Sequence, residues 1–155
     1  MLRLGGADVR LLYLELLDCN VGAKGANALG SSLSHGHNLS LLTLKLDYNA
    51  TLGDEGVVNL CKGLRTNMTL KQLHLQFCGL TSSSGVPLAD LMAFSKSSLE
   101  WLNVSGNKMG GLGLRDLCKG LMVNTKCVTL GIADNAIDQV VCVNDCTVLL
   151  HVALL

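Results

Sequence analysis

Five copies of one short pattern, LxxLxL followed three residues on by asparagine or cysteine, constrain this chain more than anything else in it. They run Leu11, Leu14, Leu16, Cys19; Leu41, Leu44, Leu46, Asn49; Leu70, Leu73, Leu75, Cys78; Leu99, Leu102, Val104, Asn107; and Cys127, Leu130, Ile132, Asn135. The copies start near 11, 41, 70, 99 and 127, at spacings of 30, 29, 29 and 28 residues. A period of that length means one supersecondary unit, repeated, whose apolar side is buried only by stacking on its neighbours.

Within each copy the alternation of LxL is the period of a short strand, with its leucines on one face. The second half of the unit has another rhythm. Gly56, Leu60, Leu64 and Gly113, Leu117, Leu121 step by four, which stacks side chains on one helical face. Asp54 and Glu55 suit the start of a helix, and Pro87 a first turn, where a missing N–H costs little. Asn38, Asn67 and Asn124, three residues before a strand, suit left-handed or turn geometry.

The pentapeptide LCKGL occurs twice, at Leu60 to Leu64 and Leu117 to Leu121. It reads as the middle of a helix with its leucines inward and Lys62 and Lys119 in water. Helices pack about 8 to 10 Å apart, so Cys61 and Cys118, two units apart, should lie roughly 20 Å from one another. That excludes a disulfide or a shared metal between them. Three irregularities stand out. The third unit places Ala89 and Ala93 where others carry leucine, the second has one extra residue between Asn49 and Leu52, and 138–155 is atypical, with Asp145 at a leucine position. In that last segment Val141, Val148, Val152 and Leu155 could share one face of a terminal helix.

The expected fold is therefore α/β: a single domain over 1–155, built as a curved right-handed solenoid of about five repeats, with parallel strands inside and helices outside. Strands stack at about 4.8 Å while helices need about 9 Å, so each unit wedges open by on the order of 20°. Asn49, Asn107 and Asn135 form a ladder beneath the loops, where a side-chain amide satisfies buried backbone groups. Cys19 and Cys78 take equivalent places.

These residues resemble the leucine-rich repeat family. The unit length and strand-plus-helix form, over roughly Val9 to Ile137, are similar to its ribonuclease-inhibitor-like subfamily, which includes Nod-like receptor repeats and the Ran GTPase-activating protein. The resemblance implies the same solenoid.

Leucine at 34 positions and only 15% charged residues exclude a disordered tail. Twelve basic and twelve acidic residues cancel, leaving no global field for nucleic acid or an anionic membrane. The start, MLRLGGADVR, does not read as a secretory signal, and the apolar run from Thr147 to Leu155 is far shorter than the roughly 20 residues of a span. Seven cysteines sort largely into structural positions. Together these features lead to an expected cytoplasmic chain. Both ends are apolar where end repeats normally carry polar caps, so a segment of a longer array is expected.

Strand residues between the leucines face the concave side. By register they are Tyr13, Glu15, Leu17 and Asp18; Thr43, Lys45, Asp47 and Tyr48; Gln72, His74, Gln76 and Phe77; Trp101, Asn103, Ser105 and Gly106; and Thr129, Gly131, Ala133 and Asp134. Four of the chain's five aromatics are among them, and exposed Tyr and Trp are enriched at binding hot spots. The expected binding residues are Tyr13, Glu15, Lys45, Asp47, Tyr48, His74, Phe77, Trp101 and Asn103. With Lys71 and Glu100 the face carries five acids against two lysines, which points to a neutral or basic protein partner. The alternative, implied by the resemblance alone, is a regulatory domain acting on a small GTPase.

No catalytic, cofactor or metal role is expected. His74 and Cys78 stand about 13 Å apart along a strand, too far for nucleophile and base. SGNKMGGLG lacks the GK[ST] ending of a phosphate loop. Cys142, Cys146 and His151 lack a fourth zinc ligand, and His35 and His37 read as loop residues.

Overall fold

The computed structural model describes residues 10–34 and 40–137. Among the described residues, five three-residue strands form one sheet: β1 (Tyr13–Glu15), β2 (Thr43–Lys45), β3 (Gln72–His74), β4 (Trp101–Asn103) and β5 (Thr129–Gly131). They lie in sequence order and every pair is parallel. The register puts Leu14, Leu44, Leu73, Leu102 and Leu130 opposite one another as a single rung. Leu44, Leu73 and Leu102 are fully buried there, while Leu14, on the edge strand, is half-buried. Second and third rungs, Leu46, Leu75, Val104 and Leu41, Leu70, Leu99, are buried beside it. Each buried leucine contributes roughly 2 kcal/mol. A strand's period of two then forces the intervening residues to the opposite face.

Helices join the strands: α1 (Ala23–Leu33), α2 (Gly53–Leu64), α3 (Gly85–Ala93) and α4 (Gly110–Leu121). This is a leucine-rich-repeat solenoid. The expected terminal helix after Asp138 lies outside the described residues. Asp54 and Glu55 are in the first turn of α2, and Pro87 is in that of α3. The extra residue of the second unit is absorbed by Ala50 and Thr51, which are exposed, while Leu52 stays buried and its N–H reaches the Asn49 carbonyl at 2.9 Å. No helix among the described residues is long and apolar enough to cross a membrane.

LCKGL proves to be the end of a helix rather than its middle: it forms the last five residues of both α2 and α4. Its leucines are buried and its lysines exposed, as expected. Cys61 and Cys118 are buried too. Its glycine has a specific task. A Cβ on Gly63 would lie 2.0 Å from the Gly30 carbonyl oxygen, and one on Gly120 would lie 2.2 Å from that of Ala89. The pentapeptide recurs because α1 presses on α2, and α3 on α4, backbone against backbone at that glycine.

The third unit corrects the expected register. Leu88 and Met92 occupy the core positions held by Leu60 and Leu64 in α2, Ala89 takes the place of Cys61, and Ala93 is exposed. The one-residue offset from α2 is that of the extra residue before Leu52, since Cys78 to Leu88 matches Asn107 to Leu117 in the fourth unit; a 3-10 turn at Ser82–Ser84 leads into α3. Asp54 of α2 fixes that turn. Its carboxylate accepts the Thr81 N–H at 2.9 Å and the hydroxyls of Thr81 and Ser84. Partial burial opposes its charge, but the Ser84 and Thr81 hydrogen bonds outweigh it and hold the carboxyl below its usual pKa.

The asparagine ladder forms as expected. Asn49, 1% exposed, accepts from the N–H groups of Cys19 and Val21 at 3.0 and 2.8 Å, and donates to the carbonyls of Leu16 and Leu46 at 2.7 and 2.8 Å. Asn107 does the same for Cys78, Leu80, Leu75 and Val104. Cys78 sits between them, its thiol donating to the Leu46 carbonyl at 3.1 Å. A second ladder went unread in the sequence. Asn67 and Asn124 are not left-handed. Each caps its own turn through Oδ1 and donates through Nδ2 to the end of the preceding helix, at Leu33 and Met92 (2.7 Å each).

Candidate protein-binding face

On the sheet face turned away from the helices, register sets out two rows: Tyr13, Thr43, Gln72, Trp101, Thr129, and Glu15, Lys45, His74, Asn103, Gly131. Pairing continues past the strand ends. The N–H groups of Asp18, Tyr48, Phe77 and Gly106 donate to the carbonyls of Asp47, Gln76, Ser105 and Ala133 in the next unit, at 2.8 to 3.1 Å. These four residues and Asp134 form a further row in which every backbone is left-handed, with φ of 50°, 62°, 52°, 72° and 51°. Side chains other than glycine pay roughly 1 to 2 kcal/mol for that conformation. The hydrogen bonds to the next unit hold them there.

All four expected aromatics are on the surface, at 47% exposure for Tyr13, 52% for Tyr48, 42% for Phe77 and 38% for Trp101. Each is held by a neighbour. Tyr48 and Phe77 stack with centroids 4.9 Å apart and planes 9° from parallel. Trp101 tilts against His74 at 5.7 Å, and Lys45 Nζ lies 5.4 Å from the Tyr13 ring. The Tyr13 hydroxyl donates to Glu15. That hydroxyl is also the chief reason the Lys45 pKa is raised, against a small loss of solvation, with Glu15 and Asp47 assisting.

Two expected contact residues are not surface groups. Asp47 is 4% exposed, and its Oδ1 accepts the Gln76 N–H at 2.8 Å, so it serves the backbone of the next unit. His74 is also buried: it stands on the central strand, diagonal to Trp101, whose ring closes over it. Its Nε2 has no hydrogen-bond partner, and burial pushes its pKa down. Asn103 is half-buried and its carbonyl accepts the Ser105 N–H at 3.0 Å. Glu15 and Lys45 remain accessible.

Burial takes Asp47 off the surface without changing the charge count. Lys71 and Glu100 pair at 2.8 Å. Asp18 and Asp134 are exposed and have no ion pair among the described residues. The exposed acids of this face without an ion pair among the described residues therefore stand in the left-handed row.

Two glycines shape this surface, and the sequence reading missed what they do. A Cβ on Gly106 would fall 2.4 to 2.6 Å from three atoms of the Phe77 ring, and one on Gly131 would fall 2.4 Å from Asn103 Oδ1. Gly106 therefore leaves the space in which Phe77 lies flat against Tyr48.

The chemistry of the thiols is structural. Burial drives Cys61 and Cys78 up to about 12, so neither is a thiolate near neutral pH. Among the described residues no group of three or more His, Cys, Asp or Glu could hold a metal ion. Cys142, Cys146, His151, His35 and His37 lie outside them.

Comparison with known proteins agrees with this architecture. A family model described as "Leucine Rich repeat" matches residues 37–61, 66–89 and 95–118. The human "NACHT, LRR and PYD domains-containing protein 13" is 35% identical over 122 residues, covering 79% of this chain and 11% of that protein. The pig "Ribonuclease inhibitor" is 34% identical over 113 residues, covering 72% of this chain and 24% of the inhibitor. Thus the chain spans a quarter or less of these curated relatives. Among solved structures, "Leiomodin-1 Actin-Binding Site 2 (ABS2)" aligns with a TM-score of 0.69 at 17% identity, over 81% of this chain and 72% of that one. A chain of the yeast "Rad7 and Elc1 complex" aligns at 0.60 and 20% identity, over 82% and 29%. Those two likenesses are of fold.

Proposed function

Because the chain is a leucine-rich-repeat protein of the ribonuclease-inhibitor-like kind, we propose that it is a non-catalytic scaffold that binds a protein partner on the open face of its sheet. The observation that carries this reading is that Tyr13, Tyr48, Phe77 and Trp101 all emerge on that face, each held in place by a ring or a charge beside it. Aromatic side chains fixed before binding bury large area at little entropic cost. The core would gain nothing from them there.

The accessible contact set is Tyr13, Glu15, Lys45, Tyr48, Phe77 and Trp101. Asp47 and His74 support it from beneath. The absence of any excess of basic residues on the face favours protein over nucleic acid as the ligand. The free thiols of Cys61 and Cys78 favour a reducing compartment such as the cytoplasm. In this reading the chain works as part of a longer repeat array, as its share of the curated relatives suggests.

Replacing Phe77 and Trp101 together by alanine should reduce partner capture at least about tenfold while the variant stays cooperatively folded. Undiminished capture by the folded variant would remove this face from the account. The regulatory alternative has its own test, single-turnover hydrolysis by purified small GTPases with and without the chain. Acceleration there would replace the scaffold reading.

A further inference from the structure

We infer that the left-handed row is a subsite for a cationic side chain, and specifically that it receives an arginine from a basic segment of the protein partner. The inference rests on the protein-binding reading above and deepens it.

The row places a stacked aromatic pair between two carboxylates. Asp18 is one unit before Tyr48, about 4.8 Å along the ladder, and Asp134 is two units beyond Phe77, about 10 Å away. Both acids are exposed, and neither has an ion pair among the described residues. The other acids on this face have a lysine beside them: Glu15 stands opposite Lys45 in the register, Asp47 also acts on Lys45, and Glu100 pairs with Lys71. Charge left uncompensated is therefore localised at the two ends of the Tyr48–Phe77 pair.

The pair itself is organised for a flat, positively charged group. Its rings are nearly parallel, and Gly106 supplies the space that lets Phe77 lie down. A cation over such a ring is attracted by its quadrupole. The molecule already uses this contact once, where its own Lys45 stands over Tyr13. A guanidinium is planar and weakly hydrated and donates in a fork that suits a carboxylate, so it stacks on the Tyr48 ring while reaching Asp18. An ammonium satisfies the charge but not the stacking. An apolar side chain leaves both acids facing an uncharged surface.

The test uses the full chain and small probes, so that no partner need be known. Aromatic proton–carbon correlation spectra are recorded during titration with N-acetyl-arginine amide, and then with the citrulline, lysine and leucine equivalents. Saturable shifts of the Tyr48 and Phe77 ring signals are expected with arginine, with citrulline weaker by about tenfold. Asp18→Asn should reduce arginine to the level of citrulline, and Phe77→Ala should abolish the Tyr48 response. The proposal is overturned if citrulline matches arginine, if leucine or lysine binds more tightly, if the arginine response survives Phe77→Ala, or if arginine gives no shift. Gly106→Ala offers an independent check, since the displaced Phe77 should lose the ring-current signature of stacking and weaken arginine together. Failure here with partner capture still lost in the Phe77 and Trp101 variant removes only the cationic subsite. Capture that survives that variant removes the protein-binding reading itself.

Discussion

At the scale of single residues, the buried asparagines tie the backbones of neighbouring units together. Asn107 meets two N–H groups of the preceding unit and three carbonyls, all at or below the protein surface. Asn107→Ala strands these groups together, and urea unfolding should show a loss of about 3 kcal/mol or more. An unchanged midpoint would mean that water replaces the amide. His74 gives a pH dependence whose sign is fixed by burial. Its folded pKa is lowered while the unfolded value is near 6.5, so the unfolded chain takes up the proton first. Its contribution is therefore fully present above about pH 6.5 and is lost as pH falls towards the folded pKa. Comparing His74→Gln with the parent in urea at pH 7.5 and pH 5.5 should show a smaller drop for the variant, and equal drops would remove the histidine from the explanation. Asn49 and Asn107 were legible in the sequence because the repeat marks them. The burial of His74 and Asp47 was not, because alternation assigns a face but does not say which neighbour's ring or amide covers a residue on it.

Within the helices, the informative feature is where one backbone meets the next. Gly63 and Gly120 are the next-to-last residues of α2 and α4, at points where a methyl group would lie about 2 Å from the carbonyl of the preceding helix. Gly63→Ala should force α1 and α2 apart and cost about 1 to 3 kcal/mol in urea unfolding, and Gly120→Ala should do the same to α3 and α4. A neutral result at both would show that the helices slide without loss. The repeated LCKGL signalled that something was shared. Periodicity alone could not show that the glycine, rather than the cysteine, makes the close contact. The one-residue offset between α2 and α3 was present in the spacing, as the extra residue before Leu52. What was hidden is the 3-10 turn at Ser82–Ser84, which Asp54 fixes from 27 to 30 residues away. Such a bridge between units leaves no mark in local spacing.

For the molecule as a whole, two populations of large side chains have been separated by the pleat of the strands. Leucines hold the units together on one side, and aromatics stand on the other, where they add little to the core. This division was readable from the sequence almost in full, because five matching strands average out local irregularity. The left-handed row was not: aspartate tolerates positive φ, but nothing in the residue types at Tyr48 and Phe77 announces it. It arises from the ladder continuing one step beyond the strands. The division is tested most directly by the unfolding free energy, in urea, of two variants: Tyr48→Ala with Phe77→Ala and Trp101→Ala, and Leu73→Ala alone. The triple aromatic variant should lose no more than about 2 kcal/mol, while the single leucine should cost about 2 to 5 kcal/mol. If removing the three aromatics proves more damaging than removing that one leucine, the aromatics belong to the core and the face described here is not a binding surface.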